Sequence, residues 1–158
     1  MPYYGAAGVI DHVDEAIFDD RLVLVGEDGS VIHQHGKPVV QYIWGPAWVN
    51  NHAHVLTGRS VSTELLKVAL ERSDVTHLVT GAVQPKISMT NLKSLMLELP
   101  EAEQIPSLEL LVQSLLALVR SLTEECRSLE AMRDALLPLL MSGKVRVKDA
   151  EKIAEEAL

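Results

Sequence analysis

Short apolar runs fill residues 1–99, broken at intervals by Gly, Pro, Asn and Asp, and one long periodic stretch follows them. RLVLVGEDGSVIH (21–33) predicts two strands joined at Asp28-Gly29, a dipeptide suited to tight hairpins. PVVQYIW (38–44) and WVNNHAHVL (48–56) predict two more strands, separated by Gly45-Pro46. STELLKVALER (62–72) predicts a helix with Ser62 as its N-cap and Leu65, Leu66, Val68, Ala69 and Leu70 as its apolar residues. HLVTGAVQPKI (77–87) predicts a strand and then a Gly/Pro turn, and LMLELP (95–100) predicts a last short strand ended by Pro100. Strands and helices in this order imply an α+β fold with a mixed, curled sheet rather than an alternating parallel one.

Residues 105–141 contain no glycine and carry a seven-residue apolar repeat. With Leu108 at position a, Leu115, Leu122, Leu129 and Leu136 share that position, while Leu111, Leu118, Glu125, Met132 and Leu139 fall at d. Nine of these ten seam positions are apolar, as knobs-into-holes packing requires. Val112, Val119 and Cys126 at e widen the stripe in the first half. Pro106 belongs in the first turn, and Pro138 is expected to kink or end the helix near Leu137. Gly143 suits the left-handed residue that closes helices. The chain thus divides into residues 1–104, a coiled-coil helix over 105–141, and a tail over 142–158 expected to be a short helix or frayed.

Composition then bounds the function. Apolar residues make up 47% and charged residues 23%, the range of a folded domain. No uninterrupted apolar run reaches the roughly 18 residues of a membrane span. The first sixteen residues lack the basic-then-apolar layout of a secretory signal. Cys126 is the single cysteine, so cytoplasm is the default compartment. The net charge is −8, and residues 1–105 hold 7 Lys/Arg against 13 Asp/Glu. Composition therefore supplies no basic footprint of the kind nucleic-acid binders usually show.

Catalytic patterns are missing: there is no phosphate-binding loop, no Asn-Pro-Pro-Tyr methyltransferase motif and no Gly-x-Ser-x-Gly elbow. Asp11, Asp14, Glu15, Asp19 and Asp20 read as a solvated polar stretch. His52 and His54 would point the same way on a continuous strand and invite a metal reading. The next carboxylate, Glu64, lies too far on to complete a familiar site, so no metal or other cofactor is expected.

Several individually weak motifs become specific when taken in order. PYYGAAGVID, LVGEDGSVI, WVNNHAHVL, TGAVQPKIS, LPEAEQ at the helix entry and LLPLLMSGKVRV at its exit resemble the specificity subunit of type I restriction–modification enzymes. The resemblance covers nearly the whole chain. It departs from the family in having one recognition domain and one long helix where two of each are usual, and in beginning at the tyrosine–glycine loop, as an N-terminally truncated domain would.

The resemblance implies a non-catalytic reader of double-stranded DNA. Its partners would be the methyltransferase (modification) subunits and the restriction/motor subunit. On that footing Tyr4, Gln34, His35, Lys37, Asn50 and Gln84 are candidate base contacts, with Arg59 and Lys86 as phosphate contacts. Leu108, Leu111, Leu115, Leu118, Leu122, Leu129, Met132 and Leu136 are candidate dimer contacts, because the chain lacks the second helix that covers this stripe in the family. Tyr42, Trp44 and Trp48 are expected to pack rather than stack on bases. Two alternatives from other classes stay open: a coiled-coil dimerising protein with no nucleic-acid role, and a small metal-dependent enzyme built on His52 and His54.

Overall fold

The computed structural model describes residues 1–149. The chain divides into two compact units, Met1–Gln113 and Ser114–Leu158. The first is α+β. A four-stranded sheet is formed by β1 (Pro2–Tyr4), β2 (Val9–His12), β3 (Phe18–Asp19) and β6 (Pro46–Val49), in the order β2-β1-β6-β3. A three-stranded sheet is formed by β4 (Leu22–Gly26), β5 (Val40–Ile43) and β7 (Ala53–Leu56), in the order β5-β4-β7. The pairing is mixed: β1 runs parallel to β6, while the remaining pairs are antiparallel.

β4 organises this unit because its LVLVG run is buried at every residue. Side chains alternate across a strand. Val23 and Val25 therefore enter one core with Leu70, Val75, Leu78, Ile87 and Leu92, while Leu22 and Leu24 enter a second with Ile43, Ala47, Val49 and Ala53. A continuous apolar run is what a strand covered on both faces needs. On the first face lies α1 (Thr63–Arg72), whose N-cap Ser62 accepts a hydrogen bond from the Leu65 amide at 3.2 Å. A short helix, α2 (Met89–Lys93), adds Leu92 to the same core.

Several predicted strands differ from those observed. The segment after Asp28-Gly29 does not fold back on β4. Glu27 and Asp28 turn toward Lys86 and Ile87 instead, and β4 takes β5 and β7 as neighbours. Residues 48–56 are not one strand, because Asn50 Oδ1 accepts the His52 amide at 2.9 Å. That Asx turn passes the chain from one sheet to the other. Residues 77–87 form a short 3-10 turn (Thr76–Leu78) and a closed loop rather than a strand. Residues 95–100 form no strand, although Leu95 and Leu97 still pack on the core.

The long helix, α3, spans Ile105–Met141 without interruption, roughly 55 Å at the usual rise. Pro106 sits in its first turn, where a missing N–H removes no helical bond. Pro138 does not end it near Leu137. The helix continues to Met141, and the last turn closes through the Ser142 amide on the Pro138 carbonyl. Gly143, at φ +69°, then donates to Leu140 while Lys144 donates to Leu139, a Schellman closure. Val112 is the residue of α3 buried within the described chain; Leu111, Leu115, Leu118, Leu122 and Leu129 are 43–56% exposed. An 18-residue stretch of α3 has mean hydropathy 1.4, so by length and composition the helix could cross a membrane. Its leucines nevertheless recur at heptad spacing between charged and hydroxyl residues, the pattern of a helix that packs along one side. Part of the tail expected over 142–158 lies outside the described residues.

Because Leu24 is fully buried between the sheets, Leu24→Ala should cost about 2–5 kcal/mol of unfolding free energy. Urea denaturation reads this directly, and a cost under about 1 kcal/mol would mean that β4 is not enclosed on both faces.

Candidate functional site

The two ends of β4 carry different chemistry. At its C-terminal end, Gly26 pairs with Ala53 of β7 and donates its amide to the Val39 carbonyl at 3.2 Å. Loops 5–8, 27–39, 50–52 and 73–87 gather there. Gln41 Nε2 donates to the Gly5 carbonyl at 2.8 Å, the Glu27 amide to His52 at 2.8 Å, and the Val75 amide to Gly36 at 2.9 Å. Lys86 Nζ pairs with Glu27 Oε1 at 2.9 Å, and His52 Nδ1 pairs with Asp28 at 2.9 Å.

The opposite end is built around Glu64, which is 2% exposed yet lies in the first turn of α1. A carboxylate there faces the positive end of the helix dipole. Its Oε1 accepts from Arg21 Nη1 at 3.0 Å and from the Tyr42 hydroxyl at 2.8 Å. Glu109, from the first turns of α3, accepts the Ser62 amide, so the start of α1 is held from two sides. These bonds tie the entry of β4, β5 and the starts of α1 and α3 together, an architectural role. Sequence reasoning missed this cluster, since nothing local marks Glu64 as an interior carboxylate.

The sequence-predicted contacts distribute as follows. Gln34, His35, Lys37, Asn50, Gln84 and Lys86 all sit on the gathered loops, and Tyr4 leads into loop 5–8 with its ring packed on the second core. Arg59 stands apart, exposed three residues beyond β7 at the opposite end of the sheet. Gln34 and His35 are exposed on a short 3-10 turn (Gln34–Gly36). His35 adopts φ +64°, unusual for a residue with a side chain, and Gly36 follows at φ +71°. A Cβ on Gly36 would meet Thr76 Oγ1 at 2.2 Å, so the turn is pressed against the Asp74–Thr76 segment. Lys37 does not project freely. Its Nζ donates to the Arg72 carbonyl at the end of α1, where a cation is favoured. Asn50 is occupied as the Asx-turn residue.

His52 and His54 do not face a common point. His52 is exposed in the turn, whereas His54 is buried, with Nε2 2.7 Å from the Ile87 carbonyl and Nδ1 3.7 Å from Glu27 Oε2. Among the described residues no group of three His, Cys, Asp or Glu is placed to hold a metal ion.

Electrostatically this end is balanced. Lys37, Arg72 and Lys86 stand against Glu27, Asp28 and Asp74, with the exposed His33, His35, His52 and His77 among them. A groove of about 370 Å³ beside α1 is lined by Lys37, Arg72, Asp74, His77 and Glu98, again of mixed sign. The Thr76 hydroxyl and amide hold the Asp74 carboxyl below the usual carboxylate range. The hydrogen bond to Glu27 holds the Lys86 ammonium above the usual lysine range.

With this geometry in place, comparison with known proteins adds one match. Over 101 residues, 63% of this chain, the sequence is 28% identical to a protein of Haemophilus influenzae described as a type I restriction enzyme specificity subunit. The matched stretch is 26% of that protein's length, so the chain spans about a quarter of the relative. No protein-family model matches the chain.

Asp74 supports the turn on which Gly36 rests, and its depressed pKa fixes when that support acts. The contribution is present above the unfolded carboxylate value, near about 3.9, and is lost as pH falls through the lower folded value. The stability gap between wild type and Asp74→Asn should therefore be open at pH 7 and close in strong acid. A gap that widens on acidification would contradict this account.

Proposed function

We propose that this chain is the DNA-reading part of a type I restriction–modification specificity subunit, acting in the cytoplasm without catalysis and without a cofactor. The observation that carries the reading is the 101-residue match to the Haemophilus influenzae protein. The gathering of polar loops at one end of the three-stranded sheet supports it, because base readout needs side chains presented from a rigid frame. In this reading Gln34, His35 and Gln84 reach base edges, and Arg59, at the opposite end of the sheet, takes no part. Tyr4, Lys37, Asn50 and Lys86 line the same end, where they also brace the loops. The target is double-stranded DNA. Methyltransferase (modification) subunits and the restriction/motor subunit supply the chemistry and a further share of the affinity.

The same reading gives α3 a partner. A bare leucine stripe over five heptads is more apolar surface than soluble monomers usually expose. We assign its cover to the α3 of a second copy, through Leu108, Leu111, Leu115, Leu118, Leu122, Leu129, Met132 and Leu136, in a two-fold dimer. The net charge of −8 favours the second reading, a coiled-coil dimer with no nucleic-acid role, and DNA titration separates the two.

Duplex DNA should bind the chain weakly at low salt, and each phosphate neutralised should cost about threefold in affinity between roughly 50 and 200 mM salt. Fluorescence anisotropy reads both effects. No binding at low salt would leave the dimeriser reading standing, and tight binding unmoved by salt would exclude phosphate contacts. Sedimentation should find a dimer at micromolar concentration and a monomer for the Leu115→Asp, Leu122→Asp variant. A wild-type monomer, or a variant that stays dimeric, would overturn the assignment of α3.

A further inference from the structure

One loop at the reading end is fixed in shape yet bare at its tip. Thr80 and Lys86 exchange both backbone hydrogen bonds at 2.8 Å, and the Thr80 hydroxyl adds a third to the Lys86 carbonyl at 3.1 Å. The base of the loop is then tied to the segment after β4. The Ile87 amide donates to Glu27 at 2.8 Å, the Gly29 amide donates to Pro85 at 3.0 Å, and Lys86 pairs with Glu27. Gly81 lies at φ +90°, and a Cβ there would meet the Gln84 carbonyl at 2.2 Å, so the turn closes tightly on itself. Ordering a loop costs conformational entropy that burial normally offsets. Here the ordered tip buries nothing: Val83 is 99% exposed, and Ala82 and Gln84 are exposed beside it.

The side chains of the tip define what it can hold. The nearest ammonium, Lys86, is neutralised by Glu27, and Asp28 is paired with His52, so the loop offers no spare cation to a phosphate. It offers a methyl-bearing surface next to a carboxamide. In the major groove an A·T pair presents the complement. Adenine shows an acceptor and a donor that a Gln amide engages together, and thymine carries the C5-methyl that small apolar side chains touch. The minor groove has no such methyl. We propose that the Ala82–Val83–Gln84 tip reads an A·T pair from the major groove, with Gln84 on the adenine edge and Val83 against the thymine methyl. Lys86 and Glu27 are then positioning residues that aim the tip. This rests on the DNA-reading function proposed above and adds which chemistry one loop recognises.

The probe is a pool of random-sequence duplexes at low salt, from which the full chain selects its preferred sites. Wild type, Val83→Ala and Gln84→Ala are compared, and deoxyuracil then replaces thymine at single positions of the enriched site to remove the methyl alone. All three proteins should give the same thermal unfolding, since both substituted side chains are exposed. The enriched site should contain an A·T pair whose preference falls about tenfold in Gln84→Ala. Deoxyuracil at that pair should weaken wild type about fourfold and leave Val83→Ala unmoved, as loss of one apolar contact predicts. An enriched site unchanged in both variants, or one weakened equally at all sequences, would overturn the inference and leave DNA reading intact. Failure of wild type to enrich any sequence would overturn both.

Discussion

The first unit depends on one strand that must be covered twice. β4 carries five consecutive buried residues, and neither face can meet water without exposing two aliphatic side chains. Leu22 and Leu24 require the four-stranded sheet on one side, while Val23 and Val25 require α1 and the packed segment 75–92 on the other. Burying a single such side chain is worth about 1.5–3 kcal/mol, so displacing either cover would cost much of a domain's marginal stability. The crossover that makes β1 run parallel to β6 follows from the same need, because the second sheet must wrap over β4.

Double coverage also fixes which parts of the unit can carry function. A strand closed on both faces leaves only its two ends open. The end at Arg21 is taken by Glu64, Tyr42 and the first turns of α3, whose Glu109 anchors Ser62. The end at Gly26 is left to loops. Those loops are not slack, since each is bonded to a neighbour: Gly5 to Gln41, Glu27 to His52 and Ile87, Gly36 to Val75. Binding through rigid loops avoids ordering them during association, a cost that otherwise subtracts from affinity.

What was legible in the sequence follows the range of the forces involved. α1, its Ser62 cap and the existence of a long α3 were readable because periodicity and capping act within a few residues, whereas the passage of α3 through Pro138 to Met141 was not. β4 was readable as an apolar run, but not its partners, which are set by contacts far along the chain. The WVNNHAHVL segment misled because apolar content on both flanks hid the Asn50 turn, and that turn separates His52 from His54. α2 was missed although Ser88, capping the Asn91 amide, is a local signal for it. At the site, the loop origin of Gln34, His35 and Gln84 was visible, whereas the engagement of Lys37 with Arg72 and of Lys86 with Glu27 was not. Val83 gave one cue that could have been used, an aliphatic residue standing between Gly81 and Pro85 where a turn would ordinarily be polar.

Charge decides how such an end can work. Non-specific duplex affinity comes almost entirely from cations meeting phosphates. At the loop end Lys37, Arg72 and Lys86 face Glu27, Asp28, Asp74 and Glu98, and two of those cations are spent on the protein itself, Lys37 on the Arg72 carbonyl and Lys86 on Glu27. A surface of this kind gains little from an arbitrary stretch of DNA. On the proposed DNA-reading function, favourable contact would come from base edges, which differ from pair to pair, so a larger share of the binding free energy would be discriminating. On that same proposed function, the balance would make a single copy a weak binder. Two copies held on one duplex by α3 would recover affinity through effective concentration, without adding cations that would also raise binding to every wrong site.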